Sequence, residues 1–251
     1  MGQLFFIESE RYMRLDKLLS EVGYGSRKEV KQLLKKSHIT VDGVRQRDGK
    51  YQVNPDEQVI CVEGEQLFYE ADVYLLLHKP MGVISATEDP RHRTVLDLLP
   101  ADYQKRGIFP VGRLDKDTTG LLLLTNNGDL AHALLSPKKK VPKTYWAKIA
   151  GVVTEADVTL FKQGMTISGN EPVAPAHLVI EKVDEHEQTS EIRLTITEGK
   201  FHQVKRMFEA VDKKVLLLHR ETMGPLKLTE DLTVGTFRAL TTAEKQAIAI
   251  I

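Results

Sequence analysis

The sequence has very little of what would supply disulfides, a zinc site or a membrane anchor. Cys61 is the single cysteine among 251 residues, which excludes an internal disulfide and any zinc site built from several cysteines. No apolar run approaches the roughly 20 residues of a membrane-spanning helix. The apolar residues 4–7 are too few for the core of a signal peptide, so a cytoplasmic location is expected.

Net charge is absent as well. Thirty-five Lys and Arg residues balance 35 Asp and Glu residues, so the overall charge gives no support to nucleic-acid binding. Any argument for such binding must depend on local patches. A hydrophobic content of 41% and a charged content of 28% are typical of a globular protein. The length suits one large domain and one small domain.

Charge is uneven near the N-terminus. Residues 14–50 contain ten Lys or Arg and five Asp or Glu. Ser26 and Glu29 form a capping-box pattern that predicts the start of a helix, whose apolar face is Val30, Leu33 and Leu34. Basic residues occupy its other positions. This stripe could neutralise RNA phosphates, or it could be an ordinary solvated helix face.

The most informative stretch covers residues 111–129 and reads VGRLDKDTTGLLLLTNNGD. Four leucines bounded by turn residues predict a strand buried on both faces or the start of a buried helix. Asp115 therefore lies at the edge of a core, where a partly desolvated carboxylate suits a nucleophile or a general base. Plain turn residues are one alternative. A calcium loop is another, but Thr119 and Asn126 replace ligands that it needs.

Two later segments carry further candidates. Residues 143–148, KTYWAK, interleave lysines with aromatic residues, a pattern that suits contacts to phosphates and bases. Residues 198–208 read EGKFHQVKRMF and place Lys205 on a predicted helix. The run at residues 215–220 predicts another buried strand. Residues 242–248 predict a terminal helix.

The motif GRLDKDTTGLLLLTNNG resembles the signature of the pseudouridine synthases that modify ribosomal RNA, in the branch named for the small-subunit enzyme. Lys79-Pro80-x-Gly82, Lys143-x-Tyr145 and residues 198–208 resemble three further motifs of that family, in the expected order. Two short helices followed by IxVDGxxxxDGxYxV resemble the RNA-binding module of ribosomal protein S-four. The resemblance implies an α+β fold: this small α/β module over residues 13–70, then a mixed, largely antiparallel catalytic domain over residues 72–251.

The resemblance also implies roles for individual residues. Asp115 would be the nucleophile, Lys205 would pair with it and keep it ionised, and Tyr145 would stack on the target base and act in proton removal. Leu218 would pack against Tyr145 and that base, while Arg113 would hold the RNA. The other implied substrate-binding residues are Lys143, Lys200 (where arginine is usual), Gln203 and Arg206. The RNA-binding residues implied in the small module are Arg14, Lys17, Ser26, Arg27, Lys28, Lys31 and Lys35.

We therefore expect isomerisation of uridine to pseudouridine in small-subunit (16S) ribosomal RNA, within an assembling small subunit, by a monomer. No cofactor or metal is expected, since the sequence lacks a dinucleotide loop, a phosphate-binding loop and clustered metal ligands. The small-subunit target rests on residues 202–205, HQVK, where large-subunit relatives more often carry Asn-x-Glu-Val-Arg. The alternatives are a large-subunit enzyme, a non-catalytic ribosome-assembly factor, and a hydrolase that would pair Asp115 with Asp117.

Overall fold

The computed structural model describes residues 12–67, 69, 72–104 and 106–251; the apolar residues 4–7 lie outside this part. The chain forms two compact units. The first unit contains Met1–Ala71 and Ala101–Arg106, and the second contains Asp72–Pro100 and Gly107–Ile251. Within the described residues, no helix is long and apolar enough to cross a membrane.

The elements of the first unit are β1 (Met13–Arg14), α1 (Leu15–Glu21), α2 (Arg27–Lys36), β2 (Ile39–Val41), β3 (Val44–Arg45), β4 (Gln52–Val53), β5 (Ile60–Val62), β6 (Glu65–Gln66) and α3 (Ala101–Gln104). A four-stranded sheet has the order β3-β2-β5-β6, and β1 pairs with β4. Leu15 and Leu18 of α1 and Val30 and Leu34 of α2 are fully buried against Ile39 and its neighbours.

The predicted capping box at the start of α2 is confirmed. The Ser26 side chain accepts a hydrogen bond from Glu29 N, and Ser26 N donates to Glu29 Oε2 at 2.7 Å. Val30 and Leu34 face the core, as the helical periodicity predicts. The basic residues of α2 are left on its exposed side.

The second unit is built on one large sheet. Two short 3-10 helices, Leu96–Leu98 and Pro137–Lys139, lie in its connections. Its elements are β7 (Tyr74–Lys79), β8 (Phe109–Pro110), β9 (Thr118–Thr125), α4 (Gly128–Leu135), β10 (Lys143–Ala150), α5 (Glu155–Gln163), β11 (Met165–Ile167), β12 (Glu171–Val173), β13 (His177–Asp184), β14 (Thr189–Ile196), α6 (Gln203–Glu209), β15 (Lys214–Met223), β16 (Leu226–Lys227), β17 (Phe237–Ala239) and α7 (Thr242–Ala249).

Among the described residues, the large sheet has nine strands, seven of them in the order β13-β14-β10-β15-β9-β7-β17. β16 pairs with β15, and β8 pairs with β9. The pair β9–β15 is parallel, and the other pairs in this sheet are antiparallel. The predicted fold class, a small α/β module followed by a mixed and largely antiparallel domain, is confirmed.

The four leucines of residues 121–124 form the middle of strand β9. All four are fully buried. Leu121 and Leu123 pack in a core cluster with Leu134 of α4 and Ile248 of α7, while Leu122 and Leu124 are buried on the opposite face, because side chains alternate along a strand. The strand interpretation of this run is therefore confirmed over the helical one.

Gly120 is required where β9 approaches β15. A Cβ atom built at Gly120 would lie 2.3 Å from the carbonyl oxygen of Arg220, and the residue has a φ of +108°. A side chain at this position would push the two parallel strands apart. Gly120 therefore allows β9 and β15 to pair closely at the centre of the sheet.

The prediction of a fully buried strand at residues 215–220 is wrong for its first half. Leu216 and Leu217 are 47% and 43% exposed, whereas Leu218 and Arg220 are buried. β9 pairs with β15 only from Leu218 to Arg220. The preceding residues extend beyond that neighbour, so the apolar run passes from solvent into the core.

The last helix, α7, begins with a second capping box. Thr241 N donates to Glu244 Oε2 at 2.8 Å, and Glu244 also accepts two hydrogen bonds from Arg238 at 2.7 Å. The Arg238 guanidinium, followed by the Thr241 donors, lowers the pKa of Glu244 to about 2 although burial opposes this. The depressed pKa means that Glu244 stabilises the fold at neutral pH and stops doing so as the pH falls from about 4.5 to 2.

Replacing this carboxylate should remove an acid-dependent part of the stability. We expect Glu244→Gln to lower the free energy of unfolding by about 1–2 kcal/mol at pH 7, a figure reduced for partial solvent screening. Near pH 2 the difference from the wild type should vanish. Urea unfolding at both pH values measures this. Glu230→Gln, which removes the same charge from an exposed side chain, is the control, and an equal loss in both variants would contradict the prediction.

Candidate active site

Asp115 lies in the turn that leads into β9. Thr118 N donates to Asp115 O at 3.0 Å, which closes the turn. The Asp115 side chain is 28% exposed. This position, directly before a fully buried strand, holds the carboxylate at the edge of the core, as the sequence pattern predicts.

Lys79, at the end of β7, stabilises this turn by hydrogen bonds to its backbone. Its side chain is fully buried, and its Nζ donates to the carbonyl oxygens of Asp115 at 2.9 Å, Thr118 at 2.8 Å and Pro80 at 3.1 Å. Burial lowers the pKa of Lys79 to about 8, although Asp115 and Asp117 favour the charged form. The amine therefore carries its proton at neutral pH and has a hydrogen for each carbonyl.

Two more residues of the same segment hold the backbone around Asp115. The buried Ser85 Oγ donates to Leu114 O at 2.9 Å and accepts from Leu114 N at 3.0 Å. Gly82 N donates to Lys116 O at 2.8 Å. The sequence alone indicated no supporting role for this segment. The Lys79-Pro80-x-Gly82 motif was the available signal for its supporting role.

Lys205 of α6 reaches the Asp115 carboxylate. Its Nζ lies 3.0 Å from Asp115 Oδ2 and 2.6 Å from Asp117 Oδ1. Burial alone would lower the pKa of Lys205, but its hydrogen bonds to Asp117 and Asp115 outweigh burial and raise it. His202 Nε2 lies 3.5 Å from the other oxygen, Asp115 Oδ1. A firmly charged ammonium thus fixes one oxygen of Asp115.

A small cavity of about 80 Å³ adjoins the carboxylate. Tyr145 of β10 and Leu218 of β15 line it and are only 7% and 8% exposed, and Thr118 at the start of β9 lines it as well. Leu218 is the register partner of Thr118 in the parallel pair. The cavity therefore lies over the centre of the sheet, and its wall includes the Tyr145 ring, the Leu218 side chain and the Asp115 carboxylate.

A larger cavity of about 710 Å³ shares part of this lining. Arg113, Asp115, Lys200 and His202 line both cavities. Lys200 Nζ contacts Pro172 O and lies 3.6 Å from Glu171 Oε1. Two of the implied substrate-binding residues, Arg113 and Lys200, therefore meet Asp115 where the two cavities join.

The remaining implied substrate residues differ in their positions. Gln203 is buried, lines the small cavity, and accepts a hydrogen bond from Lys200 N at 2.9 Å. Lys143 lines the large cavity, and its Nζ donates to Val141 O at 3.0 Å. Arg206 lines neither cavity, because Ser168, Glu171 and Phe201 O hold its guanidinium. Its position favours a structural role over substrate contact.

Arg220 is a buried cation that sequence reasoning missed. It is the register partner of Tyr145, and its Nε donates to Leu121 O at 2.8 Å. Burial, and then the charge of Arg220, lower the pKa of Lys143, and Arg220 also opposes the charged form of Lys79. Of these three buried cations, only Lys143 lines one of the two cavities, the larger one.

The implied RNA-binding residues of the first unit fall into two groups. Some are engaged locally: Arg14 pairs with Asp16, Lys17 Nζ lies 3.7 Å from Glu21, and the Ser26 hydroxyl caps α2. The others are exposed along α2, and we call them the α2 stripe: Arg27, Lys28, Lys31 and Lys35. In the described part of the chain, no group of three or more His, Cys, Asp and Glu side chains could hold a metal ion.

Family models match both parts of the chain. The model described as RNA pseudouridylate synthase matches residues 73–210. The chain belongs to this family. It is therefore an isomerase of the pseudouridine synthase class, as the motifs predict. The model of the S4 domain matches residues 13–59, which confirms the resemblance of the first module.

Similar proteins agree over nearly the whole length. An uncharacterized RNA pseudouridine synthase of Bacillus subtilis is 48% identical over 92% of this chain and 96% of its own. A ribosomal small subunit pseudouridine synthase A of Vibrio cholerae is 41% identical over 94% and 99%. A ribosomal large subunit pseudouridine synthase B of Bacillus subtilis is 39% identical over 92% and 93%. A crystal structure of a pseudouridylate synthase superposes with a TM-score of 0.64, at 34% identity over 94% and 99% of the two chains.

Removing the Lys79 ammonium should destabilise the second unit. We expect Lys79→Met to keep the apolar stem but leave three buried carbonyl oxygens without this donor, at a cost of about 3 kcal/mol in the free energy of unfolding. Urea denaturation followed by tryptophan fluorescence measures the loss. Lys182→Met, on an exposed strand position, is the matched control. Equal stability of the two variants would show that Lys79 does not hold the turn.

Proposed function

We propose that this protein isomerises uridine to pseudouridine in small-subunit ribosomal RNA, with Asp115 as the nucleophile. The observation that carries the proposal is the Asp115–Lys205 pair at 3.0 Å, placed against a cavity lined by Tyr145 and Leu218. A carboxylate that is hydrogen-bonded to a cation keeps one direction. A nucleophile needs such a fixed direction toward the atom that it attacks.

The reaction is balanced without any other reactant. The bond between uracil N1 and ribose C1′ breaks, the base rotates, and a bond between C5 and C1′ forms. The hydrogen on C5 leaves as a proton, and N1 gains one. An oxygen of Asp115 forms a transient covalent bond to the substrate and is released when the carbon glycosidic bond has formed.

Tyr145 is assigned two tasks in this scheme. Its ring is nearly buried and lines the cavity together with Leu218, so uracil can stack on it there. Its oxygen accepts the C5 proton while its own hydroxyl proton passes to water. Taking a uridine out of its stack costs a few kcal/mol, and stacking on a protein ring offsets about 1–3 kcal/mol of that.

The small-subunit target rests on residues 202–205. Overall similarity does not separate the two targets, since the small-subunit and large-subunit relatives are 41% and 39% identical to this chain. His202, which belongs to the small-subunit pattern, lies 3.5 Å from Asp115. The large-subunit relative makes large-subunit RNA the second candidate.

Binding of the ribosomal RNA is assigned to the first unit together with the cavity rim. The α2 stripe presents four exposed cations along one side of a helix, which can neutralise successive phosphates. Arg113 and Lys200 would hold the strand where the two cavities join. We propose that the protein acts as a cytoplasmic monomer on the assembling small subunit.

The role of Asp115 can be tested by tritium release from RNA labelled at uridine C5. We expect the wild type to release tritium from small-subunit RNA, and Asp115→Asn to release it roughly 10⁴-fold more slowly or not at all, because an amide cannot act as the nucleophile. The variant should bind the same RNA with a Kd within about threefold of the wild type.

The same experiment separates the alternatives. Small-subunit and large-subunit RNA are assayed in parallel, free and as assembling particles. Tritium release from large-subunit substrates alone would show that large-subunit RNA is the target. Retained binding with no release by the wild type from any substrate would favour a non-catalytic assembly factor and overturn the proposal.

Lys205 should act by fixing the direction of the Asp115 carboxylate and by placing a positive charge beside it. We expect Lys205→Met to lower kcat about 10²-fold with little change in RNA binding, whereas Lys205→Arg should retain most of the activity. Single-turnover tritium release measures both rates. Asp117→Asn removes the other partner of Lys205 and should cost less than about tenfold. A Lys205→Met enzyme as fast as the wild type would refute the assignment.

A further inference from the structure

Phe201 is an exposed aromatic side chain beside the candidate active site. It is 71% exposed, more than the other Phe and Tyr side chains that the structure describes as exposed. One face of its ring stacks on the His202 imidazole, with centroids 3.8 Å apart and planes 18° from parallel. Such burial of one face contributes little to the core, so packing does not explain an aromatic residue here.

The backbone at His202 is arranged to hold this stack. His202 has a φ of +49° and precedes the first residue of α6. The left-handed conformation costs a non-glycine residue about 1 kcal/mol or more, and such strain is concentrated at functional sites. In this backbone conformation the His202 imidazole stacks on the Phe201 ring, and its Nε2 lies 3.5 Å from Asp115 Oδ1. The stacked pair is therefore fixed relative to the nucleophile.

The two cavities place Phe201 next to the target base but outside its pocket. His202 lines both cavities, whereas Phe201 lines only the larger one. A uridine that enters the small cavity must draw its chain neighbours toward the shared rim. One neighbouring nucleotide then lies in the larger cavity, where the exposed Phe201 ring, Leu135 and Pro137 provide apolar surface.

We propose that the Phe201–His202 stack is the platform for the nucleobase adjacent to the target uridine. This inference rests on the proposed function of the same site. When the uridine leaves its stack, its neighbour loses a stacking partner and exposes a ring face to water. RNA-binding proteins commonly recognise such unstacked bases by stacking them on aromatic side chains. Because every base has a π face, the platform fixes the position of the strand more than the identity of the base.

The test pairs a protein change with an RNA change. The substrate is a hairpin RNA with one C5-tritiated uridine in its loop, made with the normal base or with an abasic site at the 5′ or the 3′ neighbour. On normal RNA we expect Phe201→Ala to lower kcat/KM about 5- to 150-fold. On RNA that is abasic at one of the two neighbours, the same variant should differ from the wild type by less than about twofold.

Two further variants make the result specific. Phe201→Tyr keeps a ring and should retain wild-type kcat/KM, and Leu216→Ala removes an exposed apolar side chain from β15 and should have no effect. An equal loss from Phe201→Ala on normal and both abasic RNAs would show a structural role and overturn the platform. No loss on any RNA would overturn it too.

A measurement of RNA binding distinguishes failure of this proposal from failure of the proposed function. The same cycle is measured as Kd, by fluorescence anisotropy of the hairpin RNAs with Asp115→Asn protein, alone and combined with Phe201→Ala. If the wild type releases no tritium but the Kd values are coupled to one neighbouring base, the proposed function fails and the platform stands. If tritium is released but neither kcat/KM nor Kd is coupled, the platform fails alone.

Discussion

The buried ammonium of Lys79 is the interaction on which the candidate site depends. Lys79 is the last residue of the central strand β7. Its ammonium donates to the carbonyl oxygens of Asp115 and Thr118, at the two ends of the turn that leads into the central strand β9. A turn at the edge of a core would otherwise leave these carbonyls buried without a donor, which is costly. By satisfying them, Lys79 fixes the direction in which the Asp115 side chain leaves the backbone, and α6 can then bring Lys205 to a carboxylate of fixed position.

The parallel contact between β9 and β15 supplies the rest of the wall. Gly120 allows the two strands to approach closely, and this approach places Leu218 beside Thr118. β10 pairs with the other edge of β15 and adds Tyr145, opposite Arg220. One glycine thus brings together residues that are a hundred positions apart in the chain.

Local patterns in the sequence were enough to predict the edge position of Asp115 and the start of α2, which Ser26 and Glu29 indicated. The four leucines between turn residues indicated a buried element, but they left a strand and a helix open until the structure showed β9. What could not be predicted depends on contacts between distant segments. Lys79 looks like a surface lysine before a proline, and Leu216 looks like a core residue until the limits of the β9–β15 pairing are known. Arg206 matches a substrate-binding motif, yet Glu171 and Ser168, more than thirty residues away, hold it elsewhere.

In this site, the residues proposed to react lie deeper than the residue proposed to select the target RNA. Asp115, Tyr145 and Lys205, the residues proposed to react, are held by the turn before β9, by the sheet and by α6. The position that distinguishes the small-subunit pattern, His202, lies at the rim, where it touches both Asp115 and Phe201. Under the proposed function, a change at the rim would alter which RNA strand enters without altering the groups that react.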